Sequence, residues 1–439
     1  MLSHSKSAML THHESADHAL KSLKGIGMDS AQVGASRTRK DELNFAVGEL
    51  NLLRTTTETG LGLSAIRGAR KAALAVNRAT AEAIDHAAGE LAGLVEAGVP
   101  DPAYAYAPSQ PSRSFNHGPP EADFPKMRER MDEFLDNVRS QYPKVILEEG
   151  YLEFTRSVST LLNSNGVKFD AQQGRYCFFM VFSAKDGSLT SGFNYTRGTM
   201  KDLSRPLLNV VEADALLQQA SGSLVRKPVA EKFTGQLLLT PHCLMELLGA
   251  WLGYLGEGAL LNGTSVFKDK LGQQIASPLL CVRCDPRGES FASQEFFDGD
   301  GFASEAMDIL DKGVLKTYLL SLYGANKLGL PRAKNSAQCL SVDAGSVPKD
   351  EMLRSVKRGL VMCRFSGGRP APNGDFSGVA KNSFYVENGE ILYPVAETMV
   401  SGNIVELFRN LVSVSRERVE FGVRTLPWVM SEGFTISGK

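Results

Sequence analysis

The spacing of hydrophobic residues changes several times along the first third of the chain. Residues 23–66 contain short alternating runs broken by Gly and Thr, a pattern typical of half-buried antiparallel strands. Residues 79–97 place apolar side chains at helical spacing, and Pro100 follows as a stop signal. Residues 126–140 predict a second helix, whose apolar stripe comprises Met127, Met131, Phe134, Leu135 and Val138.

Strand patterns dominate the remainder of the chain. Asx-Gly pairs at 165–166 and 186–187 lie between alternating runs and predict tight hairpins. A helix is expected over about 211–221. Near residue 233 a short apolar run leads into another helix that starts at Pro241, since proline is tolerated in a first helical turn. Strand-like segments then continue to the C-terminus.

These patterns divide the chain into three parts. Residues 1–22 are polar and His-rich and predict a flexible tail or a surface helix turn. Residues 23–230 predict a mixed α/β domain, in which the Pro- and Ser-rich stretch 101–124 is a surface connection. Residues 231–439 predict a domain rich in antiparallel strands. The expected fold class is therefore α+β.

Composition excludes several classes of partner. With 48 basic and 49 acidic residues, the chain lacks the basic excess that attracts nucleic acid or an anionic membrane. No apolar run approaches the roughly 20 residues that span a bilayer, and the N-terminus lacks the apolar stretch of a secretory signal. Six cysteines in 439 residues make a poor disulfide framework. We therefore expect a cytoplasmic protein with no nucleic-acid or membrane partner.

His242 and Glu246 form the most tempting metal-binding pair. They are four residues apart and share one face of the predicted helix. A zinc peptidase helix needs a second His and a general-base Glu beside the first His. Here Cys243 follows His242, and Leu247 occupies the next turn. The pattern favours a hydrogen-bonded or capping histidine, and we expect no metal site in this chain.

Three further groups of metal-ligand residue types lack the spacing that a site requires. Cys281 and Cys284 have zinc-ribbon spacing, but no second cysteine pair or downstream His completes a site, so structural thiols are expected. The acidic residues around 298–305 miss the spacing of a calcium loop and indicate an acidic turn. The N-terminal histidines favour a surface segment over a metal site. These groups comprise Cys281, Cys284, Asp298, Asp300, Glu305, His4, His12, His13 and His18.

The segment 365–378 has the least ordinary composition. Four glycines and two prolines within it predict a shaped loop. A hairpin is expected at 388–389, and a turn at 401–403 is expected to open an apolar helix. The residues alone leave two interpretations open, an elaborate structural turn and a loop that contacts a peptide or other ligand.

These C-terminal motifs resemble those of the TldD/TldE (PmbA-type) peptidase family. Asn373-Gly374-Asp375-Phe376-Ser377, the VENGEI run at 386–391 and Gly402-Asn403 follow one another in the family's order. Weaker collinear similarities at 60–62, 298–301 and 311–329 extend the resemblance over most of the chain beyond residue 23.

The resemblance implies a division of labour between two subunits. In that family, TldD carries an HExxxH helix and a later Cys that bind zinc, whereas TldE lacks them and pairs with TldD around an enclosed peptide tunnel. The matching helix here has Cys243 and Leu247 at the Glu and second His positions, and no Cys follows Cys363. The resemblance therefore implies a TldE-like subunit without a cofactor of its own, with zinc on a TldD-like partner. Such a heterodimer would degrade or trim unfolded or modified peptides.

Within this picture, the expected substrate-binding residues are Gly374, Asp375, Phe376 and Asn403, and this chain supplies no catalytic residue. Two alternatives stay open. The chain is a divergent stand-alone hydrolase that uses His242, Glu246 and a cysteine, or it is a non-catalytic homodimer that binds peptides.

Overall fold

Two β-sheets form most of this computed structural model, which describes residues 9–396 and 398–438. The first sheet contains β1 (Ser30–Ala46), β2 (Glu49–Arg67), β3 (Arg70–Val76), β4 (Arg113–His117), β5 (Val145–Asn163), β6 (Lys168–Asp186), β7 (Leu189–Thr190) and β8 (Asn194–Met200). Its central order is β3-β2-β1-β5-β6, and β4, β7 and β8 all pair with β6.

Long strands are the main feature of the first sheet. β1 has 17 residues and β2 has 19, against a usual mean of about 5–6. β1 pairs in antiparallel fashion with both β2 and β5 along its length. Val47 and Gly48, which connect β1 to β2, both have positive φ, as a tight type I′ hairpin turn requires.

Four helices pack on the first sheet and its margins. They are α1 (His12–Gly25), α2 (Ala81–Ala97), α3 (Phe124–Gln141) and α4 (Ala213–Gly222). α1 and α2 bury Leu23 and Leu91 against the sheet. On α3, the ring of Phe134 contacts the rings of Phe45 and Phe178. The apolar stripe predicted for α3 is buried over its whole length.

The second sheet has thirteen strands. They are β9 (Phe233–Leu239), β10 (Val282–Cys284), β11 (Met307–Asp311), β12 (Val314–Leu315), β13 (Leu340–Val342), β14 (Arg358–Met362), β15 (Arg364–Gly367), β16 (Asp375–Lys381), β17 (Phe384–Glu387), β18 (Glu390–Pro394), β19 (Thr398–Asn403), β20 (Leu411–Glu420) and β21 (Arg424–Ser437). β9 lies between β14, to which it is parallel, and β21, to which it is antiparallel. The mixture of helices and mainly antiparallel sheets confirms the α+β class.

Five helices follow in this part of the described chain, and two of them contribute to a buried aromatic cluster. The five helices are α5 (Pro241–Leu252), α6 (Glu257–Leu261), α7 (Leu322–Leu328), α8 (Lys349–Ser355) and α9 (Ile404–Arg409). On α5, Trp251 is fully buried, and its ring lies 4.9 Å from that of Phe267 and 5.3 Å from that of Phe408 on α9. None of the helices in the described residues is long and apolar enough to cross a membrane.

The chain passes from the first sheet to the second between Met200 and Phe233. The main hydrophobic core nevertheless runs through both sheets, since residues such as Phe178 and Leu237 belong to one buried cluster. The predicted boundary at 230 thus falls between the two sheets, whereas the core is continuous across it. That residues 23–230 and 231–439 are separate domains stays a prediction.

The prediction of a flexible tail over residues 1–22 is wrong for residues 12–22, which belong to α1. Thr11 and Glu14 form a reciprocal capping box, and the apolar face of the helix is buried against the sheet. The polar composition of the segment hid this stripe, because only a few small residues face inward. His4 lies outside the described residues.

Strand pairing also overrides two local patterns. Residues 113–117, expected in a surface connection, form β4 and pair in parallel with β6. Residues 401–403, expected as a turn, end β19, which pairs with β16. The following helix stops at Arg409, and the apolar residues after it belong to β20. Val412 and Val414 are β-branched and favour a strand, and pairing with the neighbouring strand β21 completes it.

Candidate functional site

A cavity of about 950 Å³ lies where the two sheets meet. Residues 188–195, which lead into β8, form one wall, and Arg226 lies beside them. The opposite wall is built from β15, β16 and the start of β19. Because different sheets supply these walls, no local sequence pattern marks the cavity.

The cavity combines exposed apolar side chains with basic ones. Leu189, Phe193 and Met399 are 45%, 71% and 36% exposed, although they are large and hydrophobic. Exposed apolar groups of this size around a concave surface mark a binding site. The charged side chains of the lining are Arg226, Glu246, Arg364 and Lys381.

One wall of the cavity is an edge strand. β15 pairs with β16 and with no other strand in the described part of the chain. Its residues Arg364, Phe365 and Ser366 line the cavity. A strand with one unpaired edge can add a further extended chain through backbone hydrogen bonds.

Arg364 ties this edge strand to β8 and α5. Its Nε donates to Asn194 Oδ1 at 3.2 Å, and its Nη1 donates to Glu246 Oε1 at 3.3 Å. Its Nη2 donates to the carbonyl of Tyr195, and the guanidinium stacks 4.2 Å from the Tyr195 ring. Arg364 is only 9% exposed. A planar guanidinium suits this combination of stacking and several bonds.

His242 is a buried, neutral histidine rather than an exposed ligand. It lies in the first turn of α5, which Thr240 caps. It is 4% exposed, its Nε2 lies 3.1 Å from Thr196 Oγ1, and its ring meets Phe421 edge-on. Burial, followed by the nearby positive charge of Arg364, lowers the pKa of His242 to about 3.

The residues around α5 do not fit a catalytic metal. His242 already bonds Thr196, and the carboxylate of Glu246 accepts from Arg364 and from the Tyr195 hydroxyl at 3.4 Å. Arg364 also places a permanent cation beside both groups, which would repel a divalent ion. In residues 9–396 and 398–438, no three His, Cys, Asp or Glu side chains are grouped as metal ligands. That the chain binds no metal stays a prediction.

The nearby cysteines are not activated nucleophiles. Burial raises the pKa of Cys363 to about 12 and raises the pKa of Cys243 as well. Nucleophilic cysteines need a depressed pKa and some solvent access. The stand-alone hydrolase that uses His242, Glu246 and a cysteine therefore lacks geometric support.

The predicted substrate-binding residues Gly374, Asp375 and Phe376 lie where the β15–β16 connection enters β16, and Asn403 ends β19 beside them; none of the four is in the cavity lining. Phe376 is 5% exposed and packs against Phe365 and Phe434. Asn403 caps α9 and donates to Asp375 Oδ1 at 2.9 Å and to the carbonyl of residue 373 at 3.0 Å. These contacts give Phe376 and Asn403 structural roles.

Gly374 and Asp375 occupy the tight turn at the start of β16. Gly374 has a φ of +92°, and a Cβ there would lie 2.8 Å from Asn403 Oδ1. Asp375 is exposed, and its carboxylate accepts from the side-chain amides of Asn373 and Asn403. Contact of Gly374, Asp375, Phe376 or Asn403 with substrate stays a prediction.

The remaining predicted groups lie away from the cavity. Cys284 is buried within β10, and burial raises its pKa to about 12. Asp298 is paired with Arg332 at 2.9 Å and accepts backbone amides within its own turn. On α1, His13 Nδ1 lies 3.2 Å from Asp170 Oδ1, and His18 Nε2 lies 2.9 Å from Asp85 Oδ1. The two histidine contacts lie at the surface, between neighbouring elements.

Sequence reasoning missed Arg364, Asn194 and Tyr195. Arg364 directly follows Cys363 and begins β15, and no sequence motif marks it. Its partners come from β8, about 170 residues earlier in the chain. Only the fold brings them together.

Comparison with known proteins identifies the C-terminal half and the overall fold. Residues 234–438 match the model of the PmbA/TldA metallopeptidase C-terminal domain. The chain is 26% identical to the metalloprotease PmbA of Escherichia coli O157:H7 over 417 residues, 91% of either chain. It is 26% identical over 280 residues to a metalloprotease of Methanothermobacter thermautotrophicus, 60% of either chain.

A solved structure has the same fold. TldE from Thermococcus kodakarensis superimposes with a TM-score of 0.84 at 17% identity, covering 97% of this chain and 100% of that one.

Proposed function

Because the chain belongs to the PmbA/TldD/TldE family of metallopeptidases, we propose that it is the TldE-like subunit of a two-protein peptidase. In this proposal the zinc and the hydrolytic chemistry belong to a TldD-like partner. This chain supplies part of the wall that holds an extended peptide.

The ion pair between Arg364 and Glu246 carries the proposal. Glu246 directly precedes Leu247, which stands at the position of the second His in the family's metal-bearing helix motif. A zinc hydrolase needs an open metal site that generates hydroxide. Here the carboxylate of Glu246 is bonded to Arg364 instead, which is not an open metal site.

We assign peptide capture to the cavity. An unfolded or modified peptide would lie along β15 through backbone hydrogen bonds, which carry little sequence preference. Phe193, Tyr195 and Met399 would cover its side chains, since all three line the cavity and are exposed. Arg226 and Lys381 favour peptides that carry acidic groups.

Peptide backbone methylation tests this mode of capture. In a strand, every second amide faces the neighbouring strand. N-methyl groups on one alternating pair of amides should weaken binding about 5- to 150-fold, because the four residues of β15 turn two carbonyls outward and each lost hydrogen bond costs roughly 0.5–1.5 kcal/mol. The same groups on the other pair should leave binding nearly unchanged. Fluorescence anisotropy with labelled peptides measures both, and equal effects of the two pairs would exclude pairing with a strand edge.

The subunit assignment is tested with the purified chain, alone and mixed with a TldD-like protein. We expect less than 0.1 zinc per chain by elemental analysis, no peptide cleavage by the chain alone, and cleavage by the mixture. Stoichiometric zinc together with cleavage by the isolated chain would establish the stand-alone hydrolase instead. Peptide binding by a homodimer that never associates with the TldD-like protein would establish the non-catalytic alternative.

A further inference from the structure

The outer edge of β2 lacks a strand neighbour along most of its length. β1 covers the inner edge throughout, whereas β3 pairs only with residues 61–67. Residues 49–60 therefore present unpaired backbone amides and carbonyls in the described structure. We call residues 49–60 the open edge.

The open edge has few of the features that normally prevent pairing with another chain. Its charged residues are Glu49, Arg54 and Glu58, it contains no proline and no lysine, and its register with β1 is irregular at the hairpin end, between Asn44 and Phe45. Leu52 and Leu53 are 47% and 65% exposed, and Val47 at the adjoining turn is 77% exposed. Leucine and threonine dominate the segment, and threonine favours strands. Such an edge is suited to association.

Symmetry restricts how the open edge can pair with itself. Two identical antiparallel strands related by a twofold axis place one residue opposite its own copy. An axis at Arg54 would set two arginines against each other, which is unfavourable. An axis at Thr56 would leave only residues 52–60 to pair, because Asn51 of one copy would lie opposite Leu61 of the other, where Val76 of β3 already pairs.

An axis at Thr55 lets residues 50–60 pair and sets no arginine directly opposite its own copy. It places Arg54 opposite Thr56 of the second copy, with Glu58 and Arg54 of that copy on the two diagonals, and Glu58 lies within reach of a long side chain. Arg54 is held in position by Glu42, which it contacts at 2.7 Å and 2.8 Å. In the same register Leu53 lies opposite Thr57 of the second copy.

We propose that the open edge is a dimer interface, at which residues 50–60 pair with the same residues of a second copy about an axis at Thr55. The two first sheets then continue into each other, and the twofold axis closes the assembly at a dimer. This proposal does not depend on the proposed function, because the open edge is separate from the cavity.

Cysteine cross-linking tests the register. Opposed residues in antiparallel strands have Cα atoms about 4.5–5.5 Å apart, within the disulfide range of about 4.4–6.8 Å. Leu53→Cys with Thr57→Cys in one chain should give mostly covalent dimer after mild oxidation, on a non-reducing gel. Neither single variant should do so. Positions 53 and 57 of one copy are about 13 Å apart and cannot bridge within the chain.

Two matched pairs of cysteine substitutions would cross-link in the two rejected registers. Asn51→Cys with Thr57→Cys would cross-link with an axis at Arg54, and Leu53→Cys with Thr59→Cys with an axis at Thr56. Light scattering of the unmodified chain at micromolar concentration should give twice the 47.5 kDa of one copy. A monomer, dominant cross-linking of either matched pair, or cross-linking of 53 and 57 only to an added TldD-like protein would overturn the proposal.

Discussion

Replacement of Arg364 by alanine is expected to lower the free energy of unfolding by about 2–3 kcal/mol. Removal of one partner from a buried ion pair costs roughly 3–5 kcal/mol, and the lower figure applies because the Glu246 side chain is 33% exposed. The variant also loses the bonds to Asn194 and Tyr195 that join β15 to β8. Urea titration followed by circular dichroism measures the change, and peptide capture by the cavity should weaken in parallel.

Three companion variants separate the causes. Arg364→Lys keeps the charge but loses the planar guanidinium and its stacking. It should therefore recover less than half of the stability that Arg364→Ala loses. Arg364→Met combined with Glu246→Leu should be more stable than Arg364→Ala, because it leaves no unpaired charge. Arg226→Ala, which removes an exposed arginine from the same cavity, should change stability by less than about 0.5 kcal/mol. Equal losses for Arg226→Ala and Arg364→Ala would contradict this account.

His242 should make the stability of the protein depend on pH. Above pH 6.5 its ring is neutral in both the folded and the unfolded chain. Below pH 6.5 the unfolded chain binds a proton, whereas the buried ring of the folded chain stays neutral down to its pKa of about 3. Stability therefore falls by about 1.4 kcal/mol per pH unit. Between pH 7.5 and pH 5, wild type should lose about 2 kcal/mol more than His242→Gln, whose amide can still bond Thr196.

Glu212 provides a control of opposite sign. Burial raises the pKa of Glu212 to about 7, above its ordinary value of 4.5. The folded chain therefore binds a proton that the unfolded chain releases between pH 7 and 4.5, and wild type should gain stability over Glu212→Gln as the pH falls through that window. Difference curves against each variant isolate the two groups. If the stability difference between wild type and His242→Gln did not change with pH, the ring would not be buried and neutral.

The same His242→Gln variant addresses catalysis. At pH 7.5 the proposed complex with a TldD-like protein should cleave peptides at the wild-type rate, since the buried His242 contacts Thr196 and Phe421 and does not line the 950 Å³ cavity. A loss of several orders of magnitude in a folded variant would place His242 in the reaction.

The sequence alone determined the elements with strong local signals. The helix at 126–140 and the hairpins at 165–166 and 388–389 follow from side-chain spacing and turn chemistry, which act over a few residues. The family followed from motifs at 373–377, 386–391 and 402–403, now matched by the family model over 234–438. Both kinds of information are local in the chain, so sequence reasoning reaches them.

Tertiary structure alone decided the features that depend on long-range partners. α1 forms because its few apolar residues meet the first sheet, and residues 401–403 are a strand because β16 lies beside them. The motif that identified the family proved to hold a hairpin tip together, through Asn403 and Gly374. Arg364, which lines the cavity, has no sequence signature because its partners Asn194 and Tyr195 lie in another sheet. A side chain's role follows from what surrounds it, and for Arg364 only the folded chain supplies those neighbours.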